Sequence, residues 1–262
     1  MPQAANLYYT ETDLRPDAAR APYPIVLVHG AGGTCLHWPP QVRRLPGFRT
    51  LAVDLPGHGR TEGVGEQEIA AYAHRLAAWA DSVGFSQALW VGHSMGGAIV
   101  LTLALTHPEK VRALGLVATG ARLPVNPRLL ESTAHAETFP LAVETIMKWA
   151  FSPAAPDRLR ELATRRMQEI RHTVVHNDFA ACDRFDVSSR LGDIHVPTVV
   201  IHGTADKMTP HYYGEFLAQA IPEARLVTVS DAGHMVMLEQ PDIVAATLRD
   251  FARQVLTTEP PA

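Results

Sequence analysis

Cysteine is scarce in this sequence, and long apolar runs are missing. The 262 residues include only two cysteines, Cys35 and Cys182, which are too few and too widely spaced for a disulfide framework or a zinc site. No stretch reaches the roughly 18 apolar residues that a membrane span needs, and the N-terminal segment has no basic start followed by an apolar core. We therefore predict two free thiols, no bound metal, no membrane span and a cytoplasmic location.

A strong excess of charge of one sign is also missing. Charged residues make up 19% of the chain, hydrophobic residues make up 47%, and the formal net charge is -4. This composition is ordinary for a globular protein, and it lacks the basic excess of nucleic-acid-binding domains. We expect no nucleic-acid partner and a chain that is long enough to bury one large core.

Short apolar runs that end in glycine or aspartate recur along the chain. They are PIVLVHG (24–30), TLAVDLPGHG (50–59), ALWVGHS (88–94), RALGLVATG (112–120), PTVVIHGTAD (197–206) and ARLVTVSDAGH (224–234). Such runs are typical of strands that are buried on both faces. Helix-like stretches at 69–84, 96–108 and 211–222 lie between them. This alternation predicts an α/β fold with a mostly parallel, doubly wound sheet, whose carboxyl edge collects the reactive groups.

The alternation stops between Leu123 and Ile194, where no strand pattern is found. The segment 157–171 has an apolar helical face made by Leu159, Leu162, Ala163, Met167 and Ile170. Glutamates accompany its arginines, which favours a solvated helix face over a basic binding patch. We predict that 121–194 form an inserted helical lid, and that 1–120 and 195–262 form the core domain.

The stretch GHSMG at 92–96 fits the pattern G-x-S-x-G and lies between a predicted strand and a predicted helix. In that position the pattern indicates a strained turn that holds the serine hydroxyl out above the sheet. The glycines leave room for close approach of the backbone. Ser94 is thus a candidate nucleophile. The alternative is a plain helix start with Ser94 as its N-cap, which involves no chemistry.

A serine hydroxyl becomes a good nucleophile when a base takes its proton and a third group orients that base. His234 follows the last predicted strand, and Asp206 follows the strand before it. Both fall at the sheet edge where Ser94 is expected. Asp54 and Asp231 are the rival acids, but Asp54 ends an earlier strand, and Asp231 is close to His234 in sequence and therefore poorly placed to reach around it.

Attack on an acyl carbonyl creates an oxyanion, which needs N–H donors already in place. The stretch HGAGG at 29–33 follows the first long buried strand. We assign the two donors to the backbone N–H groups of Ala31 and Met95, with Gly32 as the nearest substitute for Ala31. The alternative, a phosphate-binding loop, lacks the lysine and spacing of a P-loop and the third glycine of a dinucleotide fingerprint.

Taken together, HGAGG, DLPGHGRT, GHSMGG, GTADKMTP and AGHMVMLEQP resemble the motifs of the α/β-hydrolase superfamily, in their family order and approximate spacing. The resemblance is to the lidded branch that contains esterases and monoacylglycerol lipases. It implies that Ser94 is the nucleophile, His234 the general base and Asp206 its partner. The segment before PIVLV has room for one short strand such as NLYYTE, which leaves open whether the usual first strand of the fold is present.

The resemblance also narrows the chemistry. Epoxide hydrolases and haloalkane dehalogenases of this superfamily use an aspartate where this chain has Ser94. Carbon-carbon hydrolases commonly place a tryptophan after the catalytic histidine, where this chain has Met235. The resemblance therefore implies a cofactor-free carboxylesterase acting on a small-molecule ester. The alternatives are a lactone or carbon-carbon hydrolase, a cofactor-free perhydrolase and a non-catalytic ligand-binding homologue.

Several further side chains are candidates for supporting roles. An apolar acyl pocket can draw on Trp38, Phe139, Met147, Trp149, Phe151, Phe179 and Met208, although packing in a core explains them equally well. His172 and His176 have helical spacing, but the glutamate of the H-E-x-x-H zinc motif is absent. We interpret His29, His58 and His93 as residues that support the loops of the site.

Overall fold

A computed structural model describes residues 3–15 and 23–256 of the chain. Its strands are β1 (Gln3–Ala4), β2 (Leu7–Asp13), β3 (Ile25–Val28), β4 (Arg49–Val53), β5 (Ala88–His93), β6 (Val111–Val117), β7 (Thr198–Gly203) and β8 (Ala224–Val229). They form one sheet in the order β1-β2-β4-β3-β5-β6-β7-β8. β2 is antiparallel to both β1 and β4, and all other neighbours are parallel. The predicted mostly parallel α/β sheet is confirmed.

The two outermost strands of the sheet, β1 and β8, differ from what the sequence indicated. The first strand of the fold is present as β1, which has two residues and pairs Gln3 with Tyr8. The NLYYTE segment contributes to the second strand. β8, expected to be fully buried, is partly exposed along most of its length. The expectation was wrong because β8 is the last strand of the sheet and has a neighbour on one side only.

Helices cover both faces of the sheet. They are α1 (Pro40–Arg43), α2 (Ile69–Val83), α3 (Met95–Thr106), α4 (Pro127–Ala134), α5 (Phe139–Ala150), α6 (Asp157–Gln168), α7 (His172–Asp183), α8 (Tyr212–Ala220), α9 (Val236–Glu239) and α10 (Pro241–Leu256). Alternate residues of β3 enter opposite layers, since Ile25 and Leu27 pack with α10, whereas Val26 and Val28 pack with α2 and α3. The sheet is therefore doubly wound.

Helices α4 to α7 are inserted between β6 and β7, over the carboxyl edge of the sheet. Buried side chains of α5, α6 and α7 belong to the same apolar cluster as β3 and β5. On α6, Met167 is buried as the predicted apolar face requires, whereas Leu162 is 50% exposed. Leu162 lines an open cleft beside the helix together with Leu159, Ala163 and Ile170 of the same face.

The cysteines and the helices bear on the predicted absence of disulfides and of membrane spans. Cys35 and Cys182 are both free and buried. Within 3–15 and 23–256, no helix combines the length and the apolar character needed to cross a membrane.

Candidate active site

Ser94 occupies the strained turn between β5 and α3. Its backbone has a φ of 52° and a ψ of -119°, a region that costs a non-glycine residue about 1–3 kcal/mol. Two hydrogen bonds hold the turn: the Ser94 N–H donates to the Val117 carbonyl at 3.0 Å, and the Thr119 hydroxyl donates to the Ser94 carbonyl at 2.8 Å. The Ser94 hydroxyl caps no helix N–H, which argues against a simple N-cap, and the residue lines a small cavity.

Glycines flank the serine because the backbones around it are in close contact. A Cβ atom on Gly92 would lie 2.2 Å from the Gly96 carbonyl oxygen, and one on Gly96 would lie 2.3 Å from the Val28 carbonyl oxygen. Backbone atoms of a buried strand and helix cannot move aside as a flexible side chain does. The G-x-S-x-G pattern therefore has a steric cause at this site.

Gly96→Ala is expected to lower the free energy of unfolding by about 3 kcal/mol, because the added methyl group overpacks against β3. Chemical denaturation of the two proteins measures the change. Gly192→Ala is the matched control, since a Cβ there meets nothing within 4 Å. Equal stability of the Gly96 and Gly192 variants would contradict the steric argument.

His234 and Asp206 meet beyond the ends of β8 and β7. The Nδ1 of His234 lies 3.0 Å from Oδ2 of Asp206, and both side chains are buried. Asp206 also accepts hydrogen bonds from the N–H groups of Met208 and Thr209 and from the Thr209 hydroxyl. Burial raises the pKa of Asp206, but the electrostatic interaction with His234 and hydrogen bonds from His202 and His234 outweigh it, so the pKa lies below its ordinary 3.8. Asp206 is thus held as a carboxylate.

Neither rival acid contacts His234. Asp54 is buried and accepts the N–H groups of Cys35 at 2.6 Å and Arg60 at 2.9 Å, so its carboxylate fastens two loops to each other. Asp231 is exposed, with a φ of 58° in a turn. Of the three candidate acids, the one beyond β7 is the one that can orient the histidine.

Ser94 and His234 line the same cavity, whose volume is about 40 Å³. The other lining residues are Ala31, His37, His93, Ile146, Met147, Ala150, Ala163, Met167, Phe179, Met208 and Met235. Of the predicted pocket residues, Met147, Phe179 and Met208 are among them. Trp38, Phe139, Trp149 and Phe151 do not line this cavity. Trp38, Phe139 and Phe151 are buried in the apolar core, and Trp149 is packed against it.

The cavity is closed from above by the inserted helices. α5 contributes Ile146, Met147 and Ala150, α6 contributes Ala163 and Met167, and α7 contributes Phe179. A larger cleft of about 780 Å³ lies beside this cavity and shares His37 and Ala163 as lining residues. The space next to Ser94 is therefore small compared with the neighbouring cleft, and side chains of the inserted helices border it.

The HGAGG loop forms a tight turn next to Ser94. The Gly33 N–H donates to the Gly30 carbonyl at 3.0 Å, and Gly32 has the positive φ, 60°, that the third position of a type II turn requires. Ala31 lines the cavity. Over the described ranges no acceptor is found for the N–H of Ala31 or of Met95. Both are therefore available as oxyanion donors.

Gly32 is a different case. Its N–H donates to Oδ2 of Asp178 at 2.8 Å, so it is already used and does not serve as a substitute for Ala31. No sequence signal indicated this contact, because the carboxylate that reaches the loop lies 146 positions away along the chain.

His29 and His93 support the site as neutral rings. The Nδ1 of His29 donates to the Gly30 carbonyl at 2.8 Å, and its Nε2 accepts the Leu55 N–H at 3.1 Å. The Nε2 of His93 donates to the carbonyl of His234 at 3.0 Å. Burial lowers the pKa of both rings, which fits the donor and the acceptor nitrogen of His29 and the His93 Nδ1, which is buried without a hydrogen-bond partner. They hold the backbone of the two loops that face Ser94.

His58 and Asp178 form a buried ion pair. The Nδ1 of His58 lies 3.0 Å from the Pro56 carbonyl, and its Nε2 lies 2.8 Å from Oδ2 of Asp178. Since both neighbours are acceptors, both ring nitrogens donate and the ring is charged. Burial lowers the pKa of His58, but the charge of Asp178 and the hydrogen bond to it outweigh burial, and the pKa is raised.

This pair predicts a pH dependence of stability. Because the folded pKa of His58 lies above its ordinary 6.5, its contribution to the free energy of unfolding is full below pH 6.5 and is lost as the pH rises through the folded pKa. The difference in that free energy between the wild type and His58→Gln should therefore shrink from pH 6 to pH 9. Denaturation at a series of pH values measures it, and a difference that stays constant or grows would contradict the charged pair.

Three supporting residues carry no sequence signal that points to their role. The Thr209 hydroxyl donates to Asp206, and Asp178 accepts the Gly32 N–H of the HGAGG loop. Glu239 accepts the N–H groups of Ser152 and Gly233, at 3.1 and 3.0 Å, and so joins the end of α5 to the His234 loop. Asp178 and Glu239 bind partners that are far away along the chain. Thr209 is close to Asp206 in sequence, but only the folded loop turns its hydroxyl toward the carboxylate.

The two histidines at helical spacing serve to pack helices. The Nδ1 of His176 lies 3.2 Å from both the Thr133 hydroxyl and the Leu130 carbonyl, and the Nδ1 of His172 lies 3.4 Å from the Thr133 carbonyl. They link α7 to α4. In the part of the chain that the structure describes, no group of three or more potential metal-ligating side chains is found.

Comparison with known proteins decides the family. The family described as alpha/beta hydrolase fold matches residues 23–241. The chain belongs to the α/β-hydrolase family. It is 32% identical to a pimeloyl-[acyl-carrier protein] methyl ester esterase of Neisseria meningitidis serogroup B, over 90% of this chain and 94% of the relative.

Solved structures of the α/β-hydrolase family show the same architecture. A thermophilic esterase matches with a TM-score of 0.80 and 33% identity, over 95% of this chain and 98% of its own. The enol-lactonase from Burkholderia xenovorans matches with a TM-score of 0.86 and 27% identity, over 94% of this chain and 96% of its own. These comparisons support a hydrolase.

Proposed function

We propose that this α/β-hydrolase is a serine hydrolase that cleaves carboxylic esters through an acyl-enzyme. The observation that carries the proposal is the juxtaposition of Ser94, in its strained turn, with a His234 ring bound to Asp206 at 3.0 Å, at one cavity. Free N–H groups on Ala31 and Met95 supply the donors that an oxyanion needs. The esterases among its relatives support the same chemistry.

The reaction follows from these positions. His234 takes the proton of the Ser94 hydroxyl as Oγ attacks the ester carbonyl carbon, and the N–H groups of Ala31 and Met95 stabilise the resulting oxyanion. His234 then gives the proton to the departing alcohol. A water, activated by His234, attacks the acyl-enzyme and releases the acid. Asp206 accepts a hydrogen bond from the Nδ1–H of His234 throughout without taking the proton. This bond holds the ring in the tautomer that leaves Nε2 free to act as base.

The segment 121–194 acts as the lid of this site. The apolar side chains that α5, α6 and α7 place in the cavity exclude water from the reacting atoms. The cavity volume of about 40 Å³ favours a short acyl group over a long one, because each added methylene must displace part of the lid.

Hydrolysis of p-nitrophenyl esters from acetyl to palmitoyl tests the proposal. We expect turnover with an optimum at acetyl or butyryl and a steady fall in kcat/KM for longer chains. Electrospray mass measurement after brief mixing should show one acyl group per chain. No turnover at any length and no acyl adduct would overturn the ester hydrolase. A palmitoyl optimum would overturn the role of the closed lid in selecting short chains.

A lactone is the second candidate substrate, favoured by the likeness to the enol-lactonase. A lactone is an internal ester, so the same groups open it, and the alcohol stays attached to the acyl group. Proton release from dihydrocoumarin and from phenyl acetate, compared at equal concentration, separates the two. We expect the acyclic ester to give the higher kcat/KM, and a preference for the lactone would reverse the assignment.

A further inference from the structure

Asp178 is buried between the inserted helices and the loops around Ser94. It lies on α7 and is fully buried, with three hydrogen-bond partners from the core. Its Oδ2 accepts the Gly32 N–H and the His58 Nε2, both at 2.8 Å, and its Oδ1 accepts the Tyr72 hydroxyl at 2.6 Å. Bonds to a charged acceptor are about twice as strong as neutral ones.

The peptide that Asp178 holds is adjacent to the Ala31 N–H, the proposed oxyanion donor. Fixing the Gly32 N–H fixes the plane of the peptide between Ala31 and Gly32, and with it the rotation of the Gly30–Gly33 turn. Gly32 also lies directly beneath the helices, since a Cβ there would be 2.9 Å from Cε of Met167 and 3.3 Å from Cγ2 of Val175. The loop therefore takes its orientation from α6 and α7 as well as from the sheet.

We propose that Asp178 is a positioning residue that sets the oxyanion loop from the inserted helix α7, so that the oxyanion site is complete only while α7 is seated. This inference rests on the proposed ester hydrolysis. It adds a role that the family motifs do not contain, because the carboxylate comes from the variable inserted segment. The helices above the cavity then both cover the site and complete it.

Kinetics of Asp178→Ala with p-nitrophenyl acetate tests the inference. Displacement of a catalytic donor by about 1 Å costs on the order of 10²-fold, so kcat should fall about 100-fold while KM changes less than threefold. Asp178→Asn keeps an oxygen that can accept the Gly32 N–H, and its kcat should recover to within about tenfold of the wild type. The affinity for an aryl trifluoromethyl ketone, which forms an oxyanion on the serine, should fall in parallel with kcat.

Asn177→Ala is the matched control. Its amide donates to the carbonyl of Val64, an exposed loop residue, at 2.8 Å, so the variant loosens the contact of α7 with that loop without touching the HGAGG loop. We expect its kcat to stay within threefold of the wild type. If Asp178→Ala does not fold, Asp178→Leu, which is near to aspartate in shape and accepts no hydrogen bond, is measured with the same expectation.

The outcomes separate the two proposals. An Asp178→Ala or Asp178→Leu enzyme with kcat within threefold of the wild type, or no lower than Asn177→Ala, would overturn the positioning role alone. A rise in KM with unchanged kcat would overturn it too, because it would place Asp178 in substrate binding. A wild type without turnover, or one matched by Ser94→Ala, would overturn the ester hydrolase itself.

Discussion

Ser94→Ala is expected to lower kcat for p-nitrophenyl acetate by about a million-fold, to the level that binding and the oxyanion donors alone sustain. The substitution removes the only atom proposed to bond to the acyl carbon, while the turn is held by backbone groups of Ser94 rather than by its hydroxyl. The fold should therefore survive. Steady-state kinetics measures the loss, and a fluorophosphonate should label the wild type and leave the variant unmodified.

Ser82→Ala is the control for this measurement. Ser82 is an exposed serine on α2 whose hydroxyl donates to the Trp79 carbonyl at 2.7 Å. Its loss should leave kcat unchanged within twofold. If Ser94→Ala retained more than a tenth of the wild-type rate, the hydrolysis would belong to another residue and the acyl-enzyme mechanism would be wrong.

Asp206→Asn is expected to lower kcat by about 10⁴-fold with little change in KM. An amide turned toward His234 offers an N–H where the carboxylate accepts one, so the ring adopts the tautomer that carries its proton on Nε2. In that form Nε2 cannot take the proton of Ser94. The loss should be partly reversed at high pH, where the serine hydroxyl is deprotonated by solvent hydroxide.

Asp231→Asn is the matched control. Asp231 is exposed and has a φ of 58°, which asparagine tolerates, so kcat should stay within twofold of the wild type. Asp54→Asn should reduce stability through the loops it joins without the 10⁴-fold loss. Equal effects of Asp206→Asn and Asp231→Asn on kcat would show that the orienting acid had been misassigned.

Local sequence patterns predicted the scaffold well. The strands from β3 to β8 lie where apolar runs end in glycine or aspartate, and α2, α3 and α8 lie within about two residues of their predicted ranges. β1 has only two residues, too few for a pattern. Helices α1, α9 and α10 were not anticipated. α1 and α9 have only four residues each, and α10 follows the last predicted strand, where the alternation of strands and helices ends.

Apolar composition did not separate the side chains that line the cavity from those that only pack in the core. Trp38, Phe139 and Phe179 all belong to the same buried apolar cluster, but of these three only Phe179 also lines the cavity. Apolar composition determines that a side chain is buried, whereas the direction in which its helix faces determines what it lines. Ala150 and Ala163 line the cavity although small residues give no sequence signal of a pocket.

The sequence by itself determined the α/β sheet, the strained serine turn and the set of chemically competent residues, because strand patterning and glycine sterics act over a few neighbouring positions. Only the tertiary structure decided which carboxylate meets His234, that Asp178 occupies the Gly32 N–H, and which side chains surround Ser94. Those choices join residues 28 and 146 positions apart. They depend on how helices and loops pack in space, which short-range patterns do not specify.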